Sequence, residues 1–191
     1  MFARTPRLLL RPGWPEDADA LYNAINDEAI VRNLASAPWP YERRDAEAFL
    51  ALPHKDRNPR WLIYRRTAGT PRLIGTCGLE PTAGNSVELG YWIGRDHWGL
   101  GYATEAGRAV LETAKALNHQ EIVASHFIDN PASANVLTKL GFRPSGRILS
   151  RFSKGRNDLV KTVEFLLSLN AVSNSKENCD IEDNDMRRLA A

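Results

Sequence analysis

Cysteine is scarce in this chain of 191 residues. The two cysteines, Cys77 and Cys179, lie far apart and show no metal-ligand spacing. A small disulfide-stapled fold or a zinc site built on paired cysteines is therefore not expected. We predict reduced thiols in a cytoplasmic protein that holds no metal.

Long apolar runs and an excess of one charge are also missing. The longest aliphatic run near the start is Leu8 to Leu10, flanked by Arg7 and Arg11, which is too short for a signal peptide or a membrane span. The 25 basic and 23 acidic residues leave a formal charge of +2, so no strong field attracts an anionic polymer or surface. We expect neither nucleic acid nor a membrane among the partners.

Several catalytic motifs are absent as well. The four histidines form no His-x-x-x-His pair. There is neither a Gly-x-Ser-x-Gly nucleophile elbow nor a Gly-x-x-x-x-Gly-Lys phosphate loop. The chemistry of zinc hydrolases, serine hydrolases and P-loop enzymes therefore has no support in the sequence.

The pattern that is present predicts one mixed α/β domain over residues 1–170, followed by a polar, flexible tail over 171–191. A strand and a helical pair come first, then an antiparallel meander, then an alternation of strands and helices. The strands flanking the third predicted helix should be parallel neighbours joined by a right-handed crossover. Strands are predicted at 7–12, 61–67, 73–80, 87–94, 121–128, 143–150 and 159–167; helices are predicted at 15–34, around 46–50, at 103–118 and at 130–141.

The stretch GYWIGRDHWGLGYATEA, residues 90–106, places two glycines where a strand ends and a helix begins. Backbone N–H groups of Gly99, Gly101 and the first helical residues can converge there on one anion, helped by the helix dipole. A plain tight turn and a dinucleotide fingerprint are the alternatives, although Thr104 stands where that fingerprint needs its third glycine. Ligands bind at the carboxyl ends of strands in such sheets, which favours the anion site.

Two motifs together resemble the GCN5-related N-acetyltransferase (GNAT) superfamily, and within it the group that acetylates the α-amino termini of ribosomal proteins. They are YWIGRDHWGLGYATEA and NPASANVLTKLGF, which occur in the family's order with a strand between them. The resemblance covers residues 7–169. It implies a GNAT fold with a central mixed sheet of six to seven strands and flanking helices, acetyl-CoA as the donor and a primary amine as the acceptor.

The resemblance also implies which residues contact acetyl-CoA. In this superfamily the pantetheine arm lies between two strands that splay apart, here those beginning at Val87 and Glu121. Gly90 suits either a bulge that starts such a splay or close packing of a neighbouring side chain. Trp98 stands where the family's diphosphate motif usually has Gln or Arg. The cofactor-binding residues are predicted to be Trp92, Ile93, Gly94, Trp98, Gly99, Leu100, Gly101, Tyr102, Ala103, Thr104, Asn130 and Asn135.

Direct attack of a neutral amine on the thioester needs a path for the ammonium proton, donors for the oxyanion and a proton for the thiolate. An α-amine has a pKa near 8 and lysine one near 10.4, so the α-amine is neutral on the order of a hundredfold more often at pH 7. Glu88, acting through water, is the candidate base. A carboxylate paired with an arginine, or an edge charge in solvent, are its structural alternatives. A backbone N–H near Trp92 or Ile93 is expected to meet the oxyanion.

The second motif bears on the proton donor to coenzyme A. Aligning VLTKLGF with the family's second motif puts Leu137 where many members carry a tyrosine acid. Ser133, or a water held by Asn130, is the replacement, and the ribosomal-protein group also carries serine there. Ser133 on the helix surface and Asn130 as a plain helix cap are the structural alternatives.

The acceptor side is implied only by the resemblance, which places it at the first two helices and the loop between them, near Trp39 and Tyr41. The predicted function is acetylation of a primary amine, foremost the α-amino terminus of a protein or peptide. Two alternatives stay open: a small-molecule amine such as a polyamine, amino acid or antibiotic, and a non-catalytic acyl-CoA-binding module. The sequence does not decide between a monomer and a homodimer.

Overall fold

The computed structural model describes residues 1–66, 69–82 and 86–169. The polar tail predicted at 171–191 lies outside the described residues. Short 3-10 turns precede α1 and follow β5. The elements in chain order are β1 Ala3–Arg4, β2 Leu8–Arg11, α1 Ala18–Ile25, α2 Glu28–Val31, α3 Arg43–Ala51, β3 Arg60–Arg65, β4 Arg72–Pro81, β5 Val87–Ile93, α4 Tyr102–Ala116, β6 Glu121–Phe127, α5 Pro131–Lys139, β7 Arg143–Ser153 and β8 Asp158–Ser168.

The eight strands of the described residues form one sheet in the order β1-β2-β3-β4-β5-β6-β8-β7. Strands β3, β4 and β5 are antiparallel neighbours, and β5 and β6 pair in parallel across α4, as predicted. Strand β8 lies beside β6 and leaves β7 at the edge. The mixed sheet is confirmed, and its additional strand is the two-residue β1, which the hydrophobic pattern does not indicate.

The central strands β3 and β4 are buried on both faces, with the helices in two layers above and below them. Along β3, Trp61 and Ile63 face one apolar cluster while Leu62 and Tyr64 face the other, because successive side chains alternate across a strand. The first cluster lies under α4 and α5, and the second lies under α1 and α3. At the end of β5, Ile93 packs in the first cluster and Trp92 packs against the second, so both layers hold this strand.

The helix predicted over 15–34 is interrupted. Helix α1 ends at Ile25 and α2 begins at Glu28, with Asp27 as its N-cap. The Asp27 carboxylate accepts a hydrogen bond from the Ala29 N–H at 2.8 Å, and this cap competes with a continuous helix. The apolar spacing of this segment continues through the break, which is why it indicates one helix rather than two.

A buried ion pair ties β2 to the start of the helical layer. Both Arg11 terminal nitrogens donate to the Asp17 carboxylate at 2.7 Å. The Tyr64 hydroxyl and the Trp14 N–H donate to the same carboxylate, at 2.6 and 2.8 Å. Burial alone would raise the pKa of Asp17, but these hydrogen bonds and the guanidinium charge hold it below its ordinary value. The pair fixes where α1 leaves the sheet.

None of the helices described has both the length and the apolar character that a membrane span requires.

Candidate functional site

Strands β5 and β6 separate partway along their length. Their parallel register runs only from Val87 opposite Ile122 to Leu89 opposite Ala124, although β5 continues to Ile93 and β6 to Phe127. The result is a gap between the two strands, which we call the β5–β6 opening and which comprises residues 90–93 of β5 and 125–127 of β6. This is the splay that the resemblance implies.

Gly90 is the first residue of β5 beyond the pairing. Its register with β4 is unbroken, so the bulge expected there is absent. A Cβ built on Gly90 meets no atom within 4 Å, so close packing of a neighbour, the other expectation, is also wrong. The glycine instead leaves free space beside the β5–β6 opening.

Along β5, every second backbone N–H group points into the β5–β6 opening. The Gly94 N–H donates to the Ile74 carbonyl of β4 at 2.7 Å. Since backbone groups alternate in direction along a strand, the Trp92 N–H also faces β4, and the Ile93 N–H faces the opening. The Ile93 carbonyl accepts from the Trp98 indole at 2.6 Å rather than from β4, consistent with this direction. Of the two predicted oxyanion donors, Ile93 is the one whose N–H is directed to the opening.

The double-glycine turn has the geometry of an anion site. Gly99 and Gly101 have φ values of +73° and +79°, and both are exposed together with Leu100. Gly101 is the N-cap of α4 and forms no side-chain cap. The first N–H groups of α4 therefore have no acceptor within the helix, and they lie at the positive end of the helix dipole. A turn of this kind fits a diphosphate.

The other residues predicted for this motif take different positions. Trp98 is half exposed and ties the turn to β5 through its indole. Tyr102 and Thr104 are buried, and Ala103 is half-buried. Thr104 is 8% exposed.

The start of α5 brings two hydroxyl groups together. Asn130 caps the helix by accepting the Ser133 N–H at 3.2 Å. The Ser133 hydroxyl lies 2.8 Å from the Tyr91 hydroxyl of β5. Burial raises the pKa of Tyr91 above its ordinary value, so the phenol stays protonated at neutral pH. Leu137 is fully buried in the first cluster, and Asn135 is exposed.

Glu88 is paired with an arginine. Its carboxylate accepts two hydrogen bonds from Arg151 of β7, at 2.8 and 3.0 Å, and one from the Ser125 hydroxyl at 2.6 Å. The Glu88 side chain keeps 20% of its surface exposed. The arginine-paired alternative raised from the sequence is therefore the arrangement found, and a free carboxylate is not available there.

A second carboxylate lies close by, which the sequence does not reveal. Glu164 of β8 sits directly opposite Ser125 of β6, so the two side chains share one face of the sheet. It is 7% exposed, and its Oε1 is buried without a hydrogen bond. The Arg147 Nε lies 3.4 Å away, carried there by the irregularity of β7 next to Gly146. Only tertiary pairing brings these groups together.

The two aromatics predicted for the acceptor side differ in exposure. Tyr41 is buried among the residues of the second cluster, and burial raises its pKa to about 12. Trp39 is 37% exposed in the loop between α2 and α3. Trp39 can therefore meet an acceptor, whereas Tyr41 supports the loop from within.

Among the residues that the structure describes, no three histidine, cysteine or acidic side chains are grouped closely enough to hold a metal ion.

Comparison with known proteins shows which family this chain is similar to. The family model described as acetyltransferase (GNAT) domain matches residues 7–143. YoaA of Bacillus subtilis, an uncharacterized N-acetyltransferase, is 34% identical over 150 residues, which cover 74% of this chain and 82% of the relative.

Solved structures share the fold at low identity. RimL, a ribosomal L7/L12 alpha-N-protein acetyltransferase in complex with coenzyme A, aligns with a TM-score of 0.75 and 15% identity over 90% of this chain and 99% of its own. The ribosomal-protein-S5-alanine acetyltransferase of Vibrio fischeri aligns with a TM-score of 0.73 and 16% identity over 90% and 98%. At these identities the likeness establishes the fold.

Proposed function

This chain belongs to the acetyltransferase (GNAT) domain family and is an N-acetyltransferase, and we propose that it transfers acetyl from acetyl-CoA to the α-amino terminus of a protein or peptide. GNAT acetyltransferases use acetyl-CoA, which supplies the thioester carbonyl that the amine attacks. The open double-glycine turn and the unpaired β5 backbone are the observations of this chain that fit such a donor.

The cofactor contacts follow from the turn and the opening. The N–H groups of Gly99, Gly101 and the first turn of α4 bind the diphosphate. Among residues 92–94, the Ile93 N–H is the backbone donor that faces the arm along the β5–β6 opening, since the N–H groups of Trp92 and Gly94 face β4. Asn130 and Asn135 lie at α5, on the far side of that arm.

The arrangement of Glu88 carries the assignment of the acceptor. Both oxygens of this carboxylate are occupied by Arg151 and Ser125, so it is poorly suited to deprotonate a lysine whose pKa is near 10.4. An α-amine, with a pKa near 8, is neutral on the order of a hundredfold more often at pH 7 and needs little help. The site therefore suits an acceptor that arrives already deprotonated.

The proton movements can then be assigned to residues of this chain. As the nitrogen–carbon bond forms, the Ile93 N–H stabilises the oxyanion. The nitrogen becomes more acidic once it is bonded, and it loses its proton through Ser125 or a water to Glu88, which releases it to solvent. When the carbon–sulfur bond breaks, Ser133 donates a proton to the thiolate and regains one from Tyr91, which solvent then reprotonates. The net products are the N-acetyl amine and free coenzyme A.

Two of the structural neighbours carry this acceptor class in their names. RimL and the Vibrio fischeri protein are named as acetyltransferases of ribosomal-protein termini or residues. Their likeness carries the fold only, so the assignment for this chain depends on the Glu88 arrangement and on the test below.

The test follows free thiol release from acetyl-CoA with two pools of acceptors. One pool holds peptides with varied N-terminal residues, and the other holds polyamines and aminoglycosides. We expect release with a subset of the peptides. Release with the small amines alone would contradict the α-amine proposal and favour a small-molecule acceptor. Binding of acetyl-CoA without release from either pool would favour a non-catalytic acyl-CoA-binding module.

A further inference from the structure

Arg7, far from the motif in sequence, reaches the double-glycine turn. It lies between β1 and β2, and its Nη1 donates to the Leu100 carbonyl at 2.9 Å. Its Nε donates to Glu105 in the first turn of α4 at 2.6 Å, and its guanidinium lies 4.4 Å from the centre of the Tyr102 ring. The Arg7 side chain thus contacts the double-glycine turn, the first turn of α4 and the Tyr102 ring between them.

The bond to Leu100 fixes the orientation of one peptide group. In a trans peptide the carbonyl and the following N–H point in opposite directions. Because the Leu100 carbonyl is directed to Arg7, the Gly101 N–H is directed away from it. Within the described chain this N–H has no acceptor. Glycine permits either sign of φ at 101, so without Arg7 the peptide can reverse at little cost.

The position of Arg7 is itself held by Glu105. This carboxylate accepts from the Thr5 hydroxyl at 2.5 Å, from the Arg7 N–H at 2.9 Å and from the Arg7 Nε. Burial would raise the pKa of Glu105, but these hydrogen bonds and the arginine charge lower it. An ionised carboxylate beside the turn repels a diphosphate, and Arg7 offsets that charge.

We propose that Arg7 is a positioning residue of the diphosphate site: it holds the Gly101 N–H toward the cofactor and neutralises Glu105. This inference rests on the proposed binding of acetyl-CoA.

The experiment compares wild-type protein with Arg7→Met, Arg7→Lys and the control Arg4→Met. Arg4 is an exposed arginine of β1 and supplies the same loss of charge. In Arg7→Met the Gly101 N–H is no longer held toward the diphosphate, so one charge-assisted hydrogen bond to the cofactor is lost. We expect acetyl-CoA binding, measured by calorimetry, to weaken about ten- to a hundredfold. Arg4→Met should bind like wild type, and Arg7→Lys should recover part of the loss because it restores the charge.

S-acetylpantetheine separates the diphosphate effect from a general structural one, since it has the thioester arm but no diphosphate. We expect its kcat/KM to be the same for wild type and Arg7→Met, with the KM for the acceptor also unchanged. An equal loss with both donors would overturn the inference, and so would acetyl-CoA binding by Arg7→Met as tight as that of Arg4→Met. If Arg7→Met does not fold, the test uses Arg7→Lys. Acetyl-CoA binding by Arg7→Lys as tight as that of wild type would overturn the inference that Arg7 orients the Leu100–Gly101 peptide. Failure of the wild type to bind acetyl-CoA would instead overturn the proposed function.

Discussion

Replacing Gly101 with valine tests the diphosphate site at its centre. Gly101 has φ near +79°, a conformation that costs a residue with a side chain about 1–2 kcal/mol. A Cβ built there meets only the Arg7 guanidinium, at 3.6 Å, so we expect the protein to fold with a modest loss of stability. The strain is relieved by turning the backbone, which moves the converging N–H groups. Loss of two charge-assisted bonds, about 3 kcal/mol at the low end, raises the Kd for acetyl-CoA about a hundredfold.

Gly146 provides a matched control for the same strain. Its φ is +82°, and a Cβ built on it meets nothing within 4 Å. It lies in β7, outside the turn. Both valine variants should lower Tm by a similar few degrees, about 2–4 °C for each kcal/mol. Only Gly101→Val should lose acetyl-CoA affinity in calorimetry, and equal binding by the two variants would refute the diphosphate assignment.

Three further substitutions test the buried ion pair, the Glu88 carboxylate and the Ser133 hydroxyl. Asp17→Asn leaves Arg11 without its buried partner and should lower the free energy of unfolding in urea by about 3 kcal/mol at pH 7. Because the folded-state pKa of Asp17 is depressed, this difference in unfolding free energy from wild type should shrink as pH falls below about 4. A difference that stays constant with pH would contradict the pairing. Glu88→Gln should lower kcat only about tenfold, below the usual ~10²–10⁴ for acid–base catalysis, at unchanged KM for acetyl-CoA, because an α-amine needs little help from a base; a loss of a hundredfold or more would show that Glu88 acts as a strong base and would contradict the α-amine assignment. Ser133→Ala should lower kcat only about tenfold, below the ~10²–10⁴ that acid–base catalysis usually contributes, because a thiol with a pKa near 8.5 departs without strong acid help. Steady-state kinetics with a peptide acceptor measures this change. A larger loss would show that the reaction depends on Ser133 as an acid.

The turn and the α5 helix were predictable because local chemistry specifies them. Gly99, Gly101 and Gly141 each adopt positive φ, as their positions next to helix ends require. Asn130 caps α5 and Pro131 stands at its first position, where a missing N–H has no cost. These features depend on neighbouring residues alone, so the sequence contains the information.

The groups missed by sequence analysis are those brought together by strand pairing. Arg151 reaches Glu88 across 63 residues of sequence, and Glu164 meets Ser125 only through the register of β8 with β6. Arg7 contacts residues more than ninety positions away. No local pattern marks such pairs, because their separation along the chain bears no fixed relation to their distance in the sheet.

Two matched peptides distinguish an α-amine acceptor from a lysine side chain. One peptide carries a free N-terminus and an acetylated lysine side chain; the other has the same sequence with an acetylated N-terminus and a free lysine. Thiol release from acetyl-CoA is followed at pH 7, with mass spectrometry to locate the new acetyl group. We expect faster release with the free N-terminus, on the order of a hundredfold from the difference in amine pKa. Equal release from both peptides, or faster release with the free lysine, would contradict the α-amine assignment.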